Sequence, residues 1–142
     1  MARVQLALNV SDMDKAVDFY SKLLGTGPAK RRDGYANFAV EDPPLKLVLM
    51  QGAGVPGSLN HLGIEVAETA EVAAATTRLA DEGLPTTIED EVTCCYAVQD
   101  KVWVDAPDGE AWEVYTVLAD ADVATGDAMC CTAAPASAER CC

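Results

Sequence analysis

Two stretches of this chain share one plan of apolar and polar positions. Residues 5–25 (QLALNVSDMDKAVDFYSKLLG) and 61–83 (HLGIEVAETAEVAAATTRLADEG) both begin with the alternation of a half-buried strand. Each then passes through a short acidic turn into an amphipathic helical pattern that ends at a glycine. Gln5 lies against His61 when the two are aligned. Two copies of one structural unit are the simplest account.

The helical part of each copy has its own start and stop signals. Ser11 or Asp12 can cap the first helix, and Gly25 stops it, whereas Gly83 with Pro85 behind it closes the second. The apolar positions recur at three- and four-residue steps, at Met13, Val17, Tyr20 and Leu24 in the first helix and at Val72, Ala75 and Leu79 in the second.

After each helix the pattern turns to period two, which predicts strands. The predicted strands are YANFAVE and LKLVLMQ in the first copy, and TTIEDEV, YAVQDKVWVDA and WEVYTVL in the second. The sequence therefore predicts an α+β fold of two β-α-β-β-β modules, about residues 1–51 and 60–118, joined by Gly52–Ser58. Residues 119–142 lose the periodicity, and we expect a flexible tail there.

Composition narrows the function classes. The formal net charge of −13 argues against nucleic acid and anionic membranes as partners, because both attract clustered Lys and Arg. KRRDG, the one basic run, is typical of a solvated hairpin or, alternatively, of an anion site. No apolar run reaches membrane-spanning length, and the first residues do not resemble a signal peptide, so we expect a cytoplasmic protein.

The six cysteines occur only as neighbours: Cys94 and Cys95, Cys130 and Cys131, and Cys141 and Cys142. A disulfide between adjacent cysteines closes almost no loop and therefore stabilises a fold little, so in a reducing compartment we expect free thiols. Thiolate prefers soft partners, which indicates soft-metal or metalloid chemistry.

Three polar residues are candidate metal ligands. Gln5 and His61 occupy equivalent positions of the repeat and should point the same way from two related sheets, and Glu113 interrupts an apolar strand. Together they offer nitrogen and oxygen donors for a borderline divalent metal. The alternatives are a histidine satisfied by hydrogen bonds, a glutamine without a role and a glutamate facing solvent.

The motifs NHLGIEV and VWVDAPDGEAWEVY, on the duplicated plan, resemble the vicinal oxygen chelate superfamily over about residues 1–118. That superfamily includes glyoxalase I, extradiol dioxygenases, fosfomycin-modifying transferases and bleomycin-resistance proteins. The resemblance implies a metal held by Gln5, His61 and Glu113. Glyoxalase I has a further carboxylate where PLKLVLM offers only Lys46, so three ligands with open positions are implied, as in sites that bind Fe(II) and dioxygen.

The pair Cys94 and Cys95 adds a second resemblance. In a regular strand the two would face opposite sides, so we predict an irregular turn between TTIEDEV and YAVQDKVWV, where both sulfurs can hold one arsenic atom. With this pair the chain is similar to the ArsI-type carbon–arsenic lyases and to proteins named for cadmium induction. The resemblance implies Fe(II)- and O₂-dependent cleavage of trivalent organoarsenicals to arsenite, with Ni²⁺, Co²⁺ or Zn²⁺ able to replace iron.

Several alternatives stay open at this point. Tyr96 and Val98 either shape the substrate pocket or pack in the core, Lys101 is more typical of a solvated side chain than of a donor beside the metal, and Trp103 and Trp112 are packing residues. Rival functions are a thiol-based cadmium or arsenite binder without turnover and a glyoxalase-type enzyme. Members of the superfamily build their site within one chain or across a homodimer.

The four cysteines of the tail also have two interpretations. They belong either to a nonessential extension or to a thiol arm that captures arsenicals and accepts the released arsenite: Cys130, Cys131, Cys141 and Cys142.

Overall fold

The computed structural model describes residues 2–94 and 96–122. The elements follow in the order β1 (Arg3–Val10), α1 (Met13–Leu24), β2 (Lys30–Arg32), β3 (Tyr35–Val40), β4 (Leu45–Gln51), β5 (Leu59–Glu65), α2 (Thr69–Asp81), β6 (Thr86–Cys94), β7 (Ala97–Asp105) and β8 (Ala111–Asp120). Each half is a β-α-β-β-β module, so the predicted α+β class is confirmed.

All eight strands belong to one mixed sheet in the order β2-β3-β4-β1-β5-β8-β7-β6. The first strand of each module runs parallel to the last strand of the same module, and β1 and β5 meet antiparallel at the centre. The expectation of two related sheets is therefore corrected to one continuous sheet. The physical reason is that direct pairing of β1 with β5 satisfies the backbone groups that two separate edges would leave exposed.

Helix α1 begins and ends where the sequence signals predicted, and α2 ends at Asp81, two residues before the predicted stop at Gly83. The side chain of Asp12 accepts a hydrogen bond from the Lys15 amide at 3.1 Å, and Gly25 ends α1 in the left-handed conformation at φ 71°. At α2 the carboxylate of Glu71 accepts from the Glu68 amide at 3.0 Å. These local bonds replace the partners that the first turn of a helix lacks.

The helices cover one face of the sheet and leave the other to polar side chains. Leu6, Leu8 and Val10 pack in the cluster that contains α1. Because side chains alternate along a strand, Gln5 and Asn9 point to the opposite face. In the second module, Val102 and Val114 pack under α2 in the same way. The candidate site therefore lies on the face that the helices do not cover.

The end of the second module differs slightly from expectation. Strand β8 continues to Asp120, and the Ala121 amide donates to the Tyr96 carbonyl at 2.8 Å, so ordered structure passes the expected end at residue 118. Residues 123–142, with the four cysteines of the tail, lie outside the described residues. In the described part of the chain, no helix has the length and apolarity needed to cross a membrane.

Candidate metal centre and adjoining cavity

The polar cluster begins where β1, β5 and β8 lie side by side. Gln5 is opposite Gly63, and Gly63 is opposite Glu113, so one row of the sheet holds all three. The Gln5 Nε2 atom lies 2.8 Å from Glu113 Oε1. A Cβ on Gly63 would lie 3.0 Å from Glu113 Cγ and 3.2 Å from Gln5 Nε2. The glycine therefore provides the room in which two side chains from non-adjacent strands meet.

His61 joins this pair from the same face of β5, two residues before Gly63. Its Nε2 atom lies 3.2 Å from Gln5 Nε2 and 3.5 Å from Glu113 Oε1. The three side chains are almost fully buried, with Gln5 4%, His61 1% and Glu113 2% exposed. The structure thus brings the three predicted ligands together, and the solvent-facing alternative for Glu113 does not hold.

Lys101 on β7 is part of the same centre. Its Nζ atom donates to Glu113 Oε2 at 2.9 Å, and its exposure is 0%. The expectation of a solvated lysine is therefore wrong, because alternation along β7 places Lys101 on the interior face beside Glu113. Burial by itself would raise the pKa of Glu113, but the Lys101 charge, together with His61, lowers it to about 2. Glu113 is held ionised.

A second row of polar side chains lies next to the first. The Tyr115 hydroxyl is within hydrogen-bond distance of Gln5 Oε1 and lies 2.9 Å from Glu65 Oε2. Glu65 also accepts from Lys46 at 3.0 Å and from Arg3 at 2.8 Å. Burial opposes ionisation of Glu65, yet Lys46 and Arg3 outweigh it and lower its pKa. Burial, reinforced by the negative Glu65 and Glu113, raises the pKa of Tyr115 well above its usual value.

The single proton of the Tyr115 hydroxyl bears on how the Gln5 amide is oriented. A tyrosine hydroxyl has one proton, so Tyr115 cannot donate to Gln5 Oε1 and to Glu65 Oε2 at once. A half-turn of the amide resolves the conflict, because Gln5 Nε2 then donates to Tyr115, which donates to Glu65. Without the half-turn, Gln5 Nε2 donates to Glu113 Oε1; with it, Gln5 Oε1 faces His61 and Glu113, and the three acceptor atoms converge as they would around a bound cation.

The geometry of these donors fits a divalent metal. Ligands about 2.1 Å from a first-row metal and at right angles to each other are about 3.0 Å apart, and the three separations here are 2.8, 3.2 and 3.5 Å. His61 Nδ1 lies 2.7 Å from Asn60 Oδ1, an arrangement in which Nδ1 donates and the Nε2 lone pair faces the centre. Glutamine, histidine and glutamate together suit a borderline metal such as Fe²⁺, Co²⁺, Ni²⁺ or Zn²⁺.

Cys94 lies beside this centre at the end of β6. It is fully buried in an apolar cluster with Ala7, whose cross-strand neighbour is His61. Cys94 is the last residue of β6 and pairs with Ala97, so it lies on the strand and not in the irregular turn that was predicted for both cysteines. Tyr96, just before β7, has a left-handed backbone at φ 60°. Cys95 lies outside the described residues.

The expectation of free thiols is corrected for Cys94, which is in a disulfide. Cys94 is the one cysteine within residues 2–94 and 96–122. The expectation rested on the small gain in stability from closing a short loop and on a reducing compartment, and neither of these prevents a disulfide from forming.

Tyr96 and Val98, which were also predicted to shape the pocket, point to different faces of the sheet. Tyr96 packs on the Cys94 cluster, with its ring 5.3 Å from the ring of Tyr35. Val98 is three residues before Lys101 on a strand, so it points to the opposite face. The structure brings Tyr96 to the site and does not bring Val98.

A cavity of about 300 Å³ lies beside the second row of polar side chains. Its wall includes Lys46 and Glu65 of the second row and also Gln99. The Gln99 Nε2 atom donates to the Cys94 carbonyl at 2.8 Å, which links the cavity wall to the strand end that carries the cysteine. The cavity thus borders the second polar row and the start of β7, and the three candidate metal ligands are not among the residues that line it.

Sequence reasoning missed several members of the network, although a signal for some of them was present. The period of two that places His61 inward also places Glu65 inward, and the position of Glu113 does the same for Tyr115. Gly63 and Asn60 carried no such signal, because their roles depend on which strands and loops become neighbours.

Comparison with known proteins bears on the fold and on the family. The profile of the Glyoxalase/Bleomycin resistance protein/Dioxygenase superfamily matches residues 3–114. A protein of Thermomonospora curvata named "Trivalent organoarsenical cleaving enzyme" is 58% identical over 93% of this chain and 89% of its own length. The "Cadmium-induced protein CadI" of Mycobacterium tuberculosis is 55% identical over 92% of this chain and 93% of its own.

Among solved structures, an extradiol ring-cleaving dioxygenase from B. fuscum superposes with a TM-score of 0.60 at 20% sequence identity. The match covers 84% of this chain and 34% of the dioxygenase. At this identity the likeness concerns the fold.

Proposed function

Since the chain belongs to the Glyoxalase/Bleomycin resistance protein/Dioxygenase superfamily, we propose that it cleaves the carbon–arsenic bond of trivalent organoarsenicals and releases arsenite, with Fe(II) and dioxygen. The observation that carries the proposal is the position of Cys94 beside the convergent donors of Gln5, His61 and Glu113. A hard-and-borderline donor set next to a soft sulfur suits a reaction between a metal and a metalloid. The names of the similar proteins support the same activity.

Three side chains of this chain would hold the metal: Gln5 by Oε1, His61 by Nε2 and Glu113 by Oε1. Fe(II), when bound, supplies the activation of dioxygen. Lys101 donates to Glu113 Oε2 and leaves Oε1 to the metal. Its positive charge keeps the carboxylate ionised, which a metal ligand must be.

The thiols anchor the substrate. Each thiol exchanges with one As–OH group, so that an As–S bond forms and one water molecule leaves. Cys94 takes part only after reduction of its disulfide, because the sulfur must carry a proton or a negative charge to exchange. Cys95, adjacent in sequence, supplies the second thiol of the proposed pair.

Anchoring at this point orients the carbon substituent. Cys94 packs on Ala7, the cross-strand neighbour of His61, and Tyr96 packs on the same cluster. Gln99, which donates to the Cys94 carbonyl, lines the 300 Å³ cavity. An arsenic atom fixed on sulfur at this strand end would hold its organic group on the face of the sheet that carries the metal ligands. Such positioning lowers the entropy cost of bringing the carbon–arsenic bond and the metal-bound site together in the reactive geometry.

The overall stoichiometry closes without another reductant for the methyl compound. Methylarsenite, CH₃As(OH)₂, and one O₂ contain the atoms of arsenite, As(OH)₃, and formaldehyde. Four electrons leave the methyl carbon and dioxygen accepts four. One O₂ consumed for each arsenite released is therefore expected.

A turnover experiment separates this proposal from its rivals. Reduced protein is loaded with Fe(II) without oxygen, given methylarsenite and then exposed to air, and arsenite and oxygen uptake are measured. We expect many equivalents of arsenite per protein. A cadmium- or arsenite-binding protein would stop at stoichiometric binding, and a glyoxalase-type enzyme would ignore the arsenical and act on the hemithioacetal of methylglyoxal. Either result contradicts the proposal.

Three variants test the division of roles. Cys94→Ser or Cys95→Ser should abolish tight arsenical binding and leave metal binding intact, whereas Glu113→Ala should do the reverse. Arsenical binding is measured by retention on gel filtration, and metal content is measured by elemental analysis. Loss of metal from the cysteine variants would contradict separate sites for metal and substrate.

A further inference from the structure

A chain of side-chain hydrogen bonds connects His61 to the segment between the two modules. His61 Nδ1 lies 2.7 Å from Asn60 Oδ1, and Asn60 Nδ2 donates to Asn9 Oδ1 at 3.1 Å. Asn9 Nδ2 donates to Ser58 Oγ at 2.9 Å, and Ser58 Oγ lies 2.5 Å from the Val55 carbonyl oxygen. The chain thus runs from the imidazole, through β1, to residues 55–58.

The direction of donation is fixed at its far end. A carbonyl oxygen only accepts, and two oxygens 2.5 Å apart need a proton between them, so the Ser58 hydroxyl donates to Val55. Ser58 Oγ must then accept from Asn9 Nδ2, which turns Asn9 Oδ1 toward Asn60 Nδ2. Asn60 Oδ1 is left facing His61 and can only accept. The proton between Asn60 and His61 therefore belongs to Nδ1.

Packing holds the intermediate residue Asn9 in place. A Cβ on Gly54 would lie 2.7 Å from Asn9 Nδ2 and 3.0 Å from Asn9 Cγ, so the bare backbone of Gly54 lies directly against the amide. The backbone of Asn9 is also tied to the linker, because its N–H donates to the Ser58 carbonyl and its carbonyl accepts from Gly57. Asn9 is 4% exposed. Rotation of its amide is therefore restricted.

We propose that Asn60, Asn9 and Ser58 are positioning residues that keep the proton of His61 on Nδ1 and its Nε2 lone pair directed at Gln5 and Glu113. A neutral imidazole exists as two tautomers, and only the one protonated at Nδ1 can bind a metal through Nε2. The edge-to-face contact of His61 with Trp103, at 5.4 Å between ring centroids, fixes the ring plane. The linker between the modules thereby helps to orient a ligand of the centre. This inference rests on the proposed function, in which the centre binds a metal.

The tautomer can be observed directly, because His61 is the only histidine of the chain. Full-length, metal-free protein labelled with ¹⁵N-histidine is examined by long-range ¹H–¹⁵N correlation at about pH 8.5, where an ordinary imidazole is neutral. The two ring nitrogens differ strongly in shift according to which carries the proton. We expect a protonated Nδ1 and an unprotonated Nε2. A predominant Nε2-protonated form in the wild type would overturn the proposal.

Variants along the hydrogen-bond chain then test whether residues distant from His61 control its tautomer. Asn60→Leu, Ser58→Ala and Gly54→Ala should each shift the wild-type pattern toward a mixture of tautomers, although only the first changes a residue that contacts His61. Val55→Ala is the matched control, since it removes a side chain that is 74% exposed and keeps the accepting carbonyl. Wild-type spectra in both Ser58→Ala and Gly54→Ala would overturn the role of the linker.

Asn60→Asp distinguishes positioning from packing. A carboxylate also accepts from Nδ1–H, so Asn60→Asp should retain the wild-type tautomer that Asn60→Leu loses. If Asn60→Asp gave the same mixture of tautomers as Asn60→Leu, the proposal would be contradicted.

Metal affinity provides a second readout that does not depend on turnover. Co²⁺ titration should show affinity about 10- to 100-fold weaker for Asn60→Leu and Ser58→Ala, and unchanged for Val55→Ala. The two proposals fail in different ways. A wild type that has the expected tautomer and responds to these variants, but releases no arsenite, upholds the positioning chain and contradicts the proposed function.

Discussion

Gly63→Ala adds one methyl group at the point where Gln5 and Glu113 meet. The backbone of Gly63 does not adopt a left-handed conformation, so alanine is acceptable there as far as the main chain is concerned. The added Cβ would lie 3.0 Å from Glu113 Cγ, 3.2 Å from Gln5 Nε2 and 3.3 Å from the Glu113 carbonyl oxygen. The perturbation is therefore confined to the two side chains that Gly63 separates.

The magnitude follows from these distances. To restore contact at 3.4 Å, Glu113 Cγ must retreat by about 0.4 Å, which exceeds the tolerance of about 0.2 Å on metal–ligand distances. We expect metal affinity to fall about 10- to 100-fold, which corresponds to about 1.4 to 2.8 kcal/mol. Overpacking costs about 1–3 kcal/mol of the free energy of unfolding, offset by about 0.5–1 kcal/mol from replacing glycine in a strand.

Two measurements separate the effects. Co²⁺ titration gives the metal affinity, and urea denaturation of the metal-free protein gives the free energy of unfolding. Gly27→Ala is the matched control, because a Cβ at Gly27 meets nothing within 4 Å and Gly27 has no left-handed backbone. The control should resemble the wild type in metal affinity. If Gly63→Ala bound Co²⁺ within twofold of the wild type, the reasoning that this glycine sets the spacing of the ligands would be refuted.

Three further predictions concern the buried charges and hydroxyls. Lys101→Met should lower the free energy of unfolding of the metal-free protein by about 3–5 kcal/mol, because it leaves the Glu113 carboxylate buried without a cation. Saturating Co²⁺ should recover part of this loss in urea denaturation, and an identical loss with and without metal would place the metal elsewhere. Burial raises the pKa of Tyr35 to about 12, so the fold stabilises the neutral phenol. That stabilisation is complete below pH 10 and is lost as pH rises to 12, by about 3 kcal/mol in all. Tyr35→Phe should show the smaller alkaline decline in urea midpoints, and parallel declines would argue against this assignment. Tyr115→Phe removes the hydroxyl that orients the Gln5 amide and should weaken Co²⁺ binding about tenfold, whereas unchanged affinity would show that the amide orients itself without it.

Disulfide and thiol forms of Cys94 make the redox state a variable in every arsenical experiment. The oxidised form is the one in this structure, and the proposed substrate exchange needs the reduced one. Protein treated with a reductant and protein kept oxidised should therefore differ in arsenical binding but not in Co²⁺ affinity, since the metal donors contain no sulfur.

The amino-acid sequence alone determined the features that depend on local periodicity. The repeat predicted two β-α-β-β-β modules, because the buried face of a helix or strand is marked by residues close in sequence. The caps at Asp12 and Gly25 likewise predicted the limits of α1. The types of the three candidate ligands and the adjacent cysteines were also visible in the sequence. Their roles at that level came from resemblance to a superfamily.

Only the tertiary structure decided which of these residues meet. Gln5 and Glu113 are 108 positions apart, and their 2.8 Å contact exists because β5 lies between β1 and β8 with a glycine at the crossing row. Pairing between distant strands likewise buried Lys101, which by itself is typical of a solvated residue, and placed Asn9 between Ser58 and Asn60. The cause in each case is non-local strand pairing, which sequence periodicity does not encode, since it specifies which face a side chain occupies and not its neighbours across the sheet.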